Sequence, residues 1–136
     1  EAYEAYDSCL QWRPDNIACL NNYAYFLSID GKHLDKAEEM SRRTIKKEPE
    51  NPTYLDTYAW VLFRQKRYAE AKIYIEQALK FDTVDVSADV LEHAGDIYAN
   101  NGEMEKAMEK WKEALKLAPE NKVLIRKIKL KKYLRR

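Results

Sequence analysis

An alanine recurs along this chain at a nearly fixed interval. Ala2, Ala37, Ala71 and Ala107 are separated by 35, 34 and 36 residues. Seven residues after each stands a small or short side chain (Cys9, Thr44, Ala78, Ala114), and the next is always aliphatic (Leu10, Ile45, Leu79, Leu115). Four residues further come Pro14, Pro49, Thr83 and Pro119. A period of this length marks a stack of similar supersecondary units rather than one irregular globule. A second motif precedes the last three alanines. Leu20, Leu55 and Leu91 are followed by Ala24, Ala59 and Gly95, then by Leu27, Leu62 and Tyr98. Steps of four and then three residues keep these side chains on one face of a helix.

Each unit therefore reads as a helix, a tight turn at "DGKH", "RQKR" or "NNGE", a second helix carrying the alanine, and a closing proline. Proline cannot continue a helix and biases its predecessor away from helical angles. The small residues let two helix backbones approach closely. Core shape is thereby fixed while surface letters drift. With three glycines, four prolines and 35% charged residues, the composition favours helices over a turn-rich β protein. No run of 18 apolar residues is present to form a membrane span.

The pattern resembles the tetratricopeptide repeat (TPR) family over essentially the whole chain. Three full repeats fall at about 17–51, 52–87 and 88–121, with the signature strongest in Leu91, Gly95, Tyr98, Ala107, Trp111, Ala114 and Pro119. The fold so implied is an all-α solenoid, a right-handed superhelix of antiparallel helix pairs forming one array. Residues 1–16 read as the second helix of a truncated repeat and 122–136 as a basic capping helix. Eight helices are expected, near 1–13, 17–30, 34–48, 52–66, 69–82, 87–101, 104–117 and 121–135. Without a preceding helix, Tyr3, Tyr6 and Leu10 would be partly uncovered, and the fragment would self-associate. One extra residue near His33 and the "TVDVS" insertion lengthen turns. The wording also resembles the C-terminal repeats of large bacterial TPR proteins, some of which work at the cell envelope. That points to a bacterial, periplasmic assembly factor.

No catalytic arrangement or cofactor motif stands out. There is no Gly-rich phosphate loop, HExxH or GxSxG. Asp89, His93 and Asp96 share a helix face at spacings that a metal accepts, but the expected state is an acidic, solvated face. His33 reads as a solvated turn residue. Cys9 and Cys19 fall on consecutive helices; a buried thiol is the default for Cys9, and a disulfide would need an oxidising compartment. Trp111 occupies a core site of the family.

The resemblance implies a concave groove lined by the first helices of the repeats. Carried over by alignment, its lining is Asn21, Asn22, Tyr25, Ser28 and Ile29, then Thr53, Asp56, Thr57, Trp60, Phe63 and Arg64, then Asp89, Glu92, His93, Asp96 and Asn100. One subfamily grips a peptide's terminal carboxylate with Lys and Asn. The matching positions here are Asn21, Tyr25, Thr57, Asp89 and His93, so that clamp is absent. An aromatic and amide-lined middle beside an acidic end suits a protein or peptide segment with apolar anchors and a Lys or Arg. The expected role is a non-catalytic binding scaffold, with Trp60 as an anchor that could be removed without unfolding the chain.

Residues 122–136 hold eight of the 24 basic residues and no acid, leaving 16 basic against 23 acidic in the rest. This segment reads as a capping helix with Leu124, Ile125 and Ile128 packed and its lysines outward. The alternative is a nucleic-acid or anionic-membrane contact through that helix, with Leu130, Tyr133 and Leu134 exposed.

Overall fold

The computed structural model describes residues 16–81, 87–131 and 133. They form seven helices and no strand: α1 (Ile17–Asp30), α2 (Leu34–Lys47), α3 (Pro52–Arg64), α4 (Tyr68–Phe81), α5 (Ala88–Asn100), α6 (Met104–Leu117) and α7 (Lys122–Leu130). The expected helix over 1–13 lies outside the described residues. So do Ala2, Cys9, the Cys9–Cys19 pairing, the self-association face and most of the "TVDVS" turn.

The helix starts have local causes. Asn16, Asn51, Ser87 and Asn121 accept a backbone N–H from the first turn of α1, α3, α5 and α7, and Pro52 opens α3. Such side chains satisfy donors that have no partner inside the helix. Gly31, at a φ of 78°, ends α1 in the left-handed conformation and bonds back to Leu27. His33, exposed as expected, also holds a positive φ (54°) at the start of α2.

The helices stack as antiparallel pairs, α1 with α2, α3 with α4 and α5 with α6, and each pair packs on the next. The first helices also touch one another, α1 on α3 and α3 on α5, and α7 covers α6. The recurring small residues sit where the backbones meet: Ala24, Ala37, Ala59, Ala71, Ala107 and Ala114 have no exposed surface. A Cβ placed on Gly95 would lie 2.3 Å from Cδ1 of Trp111, so glycine makes room for the indole. The core runs from α3 to α7, with a smaller cluster of Leu20, Tyr23, Leu27 and Met40 around Val61. In α3 every residue from Leu55 to Phe63 is buried. By contrast α4 buries only Ala71, Ile75 and Ala78, and α6 only Ala107, Trp111 and Ala114.

The last helix departs from expectation in two ways. It stops at Leu130, because Lys131 turns into the left-handed region (φ 54°), and does not run on to 135. Its orientation also differs. Leu124 is buried and Ile128 half-buried, but Ile125 is 44% exposed and Lys127 points inward with 1% of its surface exposed. The ammonium turns inward because two carboxylates wait for it beneath the helix.

Candidate functional site

The first helices and α7 enclose a cavity of about 260 Å³. Tyr25 and Ile29 come from α1, Trp60 and Arg64 from α3, Asp89, Glu92, His93 and Asp96 from α5, and Lys127 from α7; Tyr133 completes the wall. Asp56, Trp60 and Arg64 follow one another every four residues, which places them in a row along one face of α3.

Trp60 is the centre of this wall. Its indole is stacked on Phe63 (4.6 Å between centroids, 13° between planes) and on the His93 imidazole (4.1 Å, 21°). Tyr133 meets Phe63 edge-on at 5.2 Å, and Tyr25 is tilted against His93 at 6.1 Å. Stacked and edge-on ring pairs at such distances stabilise one another beyond their area of contact. Trp60 is thus both a core residue, 9% exposed, and the floor of the cavity. This corrects the expectation that its removal leaves the fold intact.

A buried ionic network backs the rings. His93 Nδ1 donates to Asp56 Oδ1 at 2.9 Å. Burial opposes charge on this imidazole, but the Asp56 carboxylate, helped by Asp96 and Asp89, outweighs it and raises the His93 pKa. Lys127 Nζ donates to Glu92 Oε2 at 2.7 Å and to Asp96 Oδ1 and Oδ2 at 2.8 and 3.1 Å. Trp111 Nε1 adds a bond to Asp96 Oδ1 at 3.0 Å. Burial pushes the Asp96 carboxyl up to about 6, against the pull of Lys127. The face carrying Glu92, His93 and Asp96 is therefore buried and paired, not solvated as the sequence suggested; only Asp89 is exposed. Glu92 and Asp96, four residues apart, meet an ammonium, and the imidazole of His93 between them meets Asp56. Among the described residues no group of three stands in metal-holding geometry.

Of the residues expected to line a groove, the structure brings Tyr25, Ile29, Trp60, Arg64, Asp89, Glu92, His93 and Asp96 together around the cavity. Asp56, Thr57 and Asn21 are buried outside its wall, Asp56 behind His93, and Phe63 lies under Trp60. Ser28 is buried and bonds Tyr25 O, Asn22 and Thr53 are exposed, and Asn100 bonds back to Asp96 O. Sequence reasoning missed Lys127 and Tyr133. Lys127 had a signal: it stands three residues after Leu124 and one before Ile128, on the apolar stripe of α7. Tyr133, beyond the end of α7, had none.

This is the architecture of a repeat scaffold: paired helices stacked in a row, a concave cleft and no catalytic constellation among the described residues. Family models described as tetratricopeptide repeat match residues 53–85 and 88–121. The chain belongs to the tetratricopeptide repeat family, whose repeats generally serve as non-catalytic scaffolds for contacts between proteins. It is 34% identical over 67 residues to a TPR repeat-containing protein of Pseudomonas aeruginosa, a match spanning 49% of this chain and 11% of that protein. A protein of Sinorhizobium fredii is 41% identical over 51 residues, 28% of its length. The chain thus spans less than a third of either relative. A tetratricopeptide repeat protein from Parabacteroides merdae superposes with a TM-score of 0.80 at 20% identity, covering 94% of this chain and 49% of that one. YrrB, described as a TPR protein with an unusual peptide-binding site, gives 0.76 at 16% identity, covering 93% and 64%. The first TPR of Spaghetti (RPAP3), bound to an HSP90 peptide, gives 0.73 at 19%, covering 85% and 89%.

Proposed function

We propose that this array is a non-catalytic scaffold that holds a segment of another protein in its concave cleft, an apolar side chain resting on Trp60 and a basic one near Asp89. The observation that carries this reading is the state of Trp60: an indole fixed between Phe63 and His93 that still lines a cavity large enough for a bulky side chain. Rigid aromatic anchors in partly enclosed pockets dominate the energetics of protein recognition. Glu92 and Asp96 are both bonded to Lys127 and buried, so the carboxylate open to a partner's cation is Asp89. Likeness to structures described as peptide-bound or peptide-binding supports the reading.

The test begins with affinity purification of partners from the native host and continues with titrations of the purified partner. Tyr25, half-buried beside the cavity, is the informative site. Tyr25→Ala is expected to weaken binding about tenfold, or about 1.4 kcal/mol, while melting within a few degrees of wild type. Trp60→Ala is expected to lose affinity and stability together. Unchanged affinity in both variants would place the partner elsewhere. A steep decline of affinity with salt would move the site to α7, where Lys122, Arg126, Lys129 and Lys131 are exposed.

A further inference from the structure

Most charged groups around the cavity are paired within the chain. Lys127 lies between Glu92 and Asp96, and His93 is bonded to Asp56. Two lining groups are left over, and they are of opposite sign. The Asp89 carboxylate is exposed and makes no hydrogen bond or ion pair among the described residues. The Arg64 guanidinium has no acceptor either, and its Nε is buried. Leaving a buried donor without a partner is costly, so native structures seldom keep one idle. Arg64 is also not waving in solvent: its Nη2 packs over the turn that ends α1, 3.0 Å from where a Cβ on Gly31 would stand. Glycine at that turn therefore serves two ends, the positive φ and the room for the guanidinium.

The spacing of the two leftover charges follows from helix geometry. Arg64 is one turn beyond Trp60 on α3, and Asp89 is one turn before His93 on α5. The Trp60 and His93 rings are stacked on each other, and the two first helices run in the same sense. Each four-residue step rises about 6 Å, so the two residues stand on either side of the ring stack, their backbone positions about 12 Å apart along the cleft.

We infer that the cleft accepts an extended segment in which an apolar or aromatic residue on Trp60 is flanked by an acidic residue for Arg64 and a basic residue for Asp89. The inference rests on the groove reading above and adds a second, acidic requirement and a spacing. At about 3.3 Å per residue, 12 Å corresponds to an acid and a base about four positions apart with the anchor between them. A guanidinium suits the acid because its fork of donors meets a carboxylate with two parallel bonds. Charge complementarity of this kind fixes how the segment lies in the cleft and rejects segments with like charges at the same places.

The experiment uses four peptides titrated into the isotopically labelled full chain and followed by amide and Arg Nε–H resonances. The first is acetyl-Lys-Gly-Phe-Gly-Glu-amide; the others replace Glu, Lys or both by Gln. Losing one partly exposed ion pair of about 1 kcal/mol is about a fivefold change in Kd. Glu→Gln in the peptide is expected to weaken binding about fivefold to wild type and not at all to Arg64→Gln. Lys→Gln is expected to do the same through Asp89→Asn. The Arg64 Nε–H resonance should move with the Glu peptide and stay in place with its Gln counterpart. Equal affinity of all four peptides, with shifts at Trp60 and Tyr25, overturns the two-charge inference and leaves the groove reading standing. Absence of any saturable shift around the cavity with every peptide overturns both.

Discussion

Replacing Gly95 with alanine adds a single methyl group, and the structure says it has nowhere to go. The new Cβ would lie 2.3 Å from Cδ1 and 2.4 Å from Nε1 of Trp111, whose ring is fully buried. Contacts of that length are more than 1 Å inside van der Waals separation, so the indole must shift. Overpacking of this kind costs about 1–3 kcal/mol. The shift also breaks the Trp111 Nε1 bond to Asp96, made at 3.0 Å to a buried carboxylate, worth about 1.5–3 kcal/mol. Alanine recovers about 1 kcal/mol of helix propensity over glycine. The net expectation for Gly95→Ala is a loss of about 1.5–5 kcal/mol, read as a drop in the urea midpoint by circular dichroism at constant m-value. Trp111→Ala provides the control. It removes the whole indole, clashing atoms and Nε1 bond together, so adding Gly95→Ala to it should cost less than about 1 kcal/mol. A Gly95→Ala midpoint equal to wild type, or a full penalty in the Trp111→Ala background, would refute the account of why this site is glycine.

Lys127→Met leaves Glu92 and Asp96 buried without their cation and is expected to cost about 3–5 kcal/mol at pH 8, and less at pH 5, where protonation of Asp96 relieves the site; urea titrations at both values check it. Wild-type stability should itself fall as pH rises from about 5 to 8. The raised His93 pKa contributes stability that is complete below its unfolded value near 6.5 and is lost as pH climbs through the folded one. Asp96, raised to about 6, has the same sign lower down, holding a proton in the folded state between about 4 and 6 that the unfolded chain has released. His93→Gln should flatten the upper part of that slope, and an unchanged slope would show that the imidazole does not titrate in contact with Asp56.

The packing of the repeats was legible because it depends on side-chain size at fixed offsets. Ala24, Ala59 and Gly95, or Ala37, Ala71 and Ala107, advertise close backbone approach whatever surrounds them, and the structure finds each buried. Most of the cavity lining was legible through the resemblance to the family: once the repeats are in register, equivalent positions of the first helices carry over one by one. Charge pairing was not. Lys127 looks like its neighbours in "KVLIRKIKLKK", and its partners Glu92 and Asp96 lie 35 and 31 residues away. Periodicity gives the face a side chain occupies; it does not say that an opposite charge waits on another helix. The end of α7 was missed because a lysine adopting a positive φ breaks no sequence rule.

The uneven burial of the two kinds of helix sets where this chain is free to vary. From Leu55 to Phe63, α3 has no outward residue, so a new specificity on the concave side has to be written with the few letters that touch the cleft. The second helices are different: α4 and α6 fully bury three positions each, rest a few more against the edge of the core, and leave the remainder exposed. A further interface, a solubilising charge pattern or a label can be inscribed there without touching Trp60. The protein thus carries a conservative inner page and an outer one that tolerates rewriting.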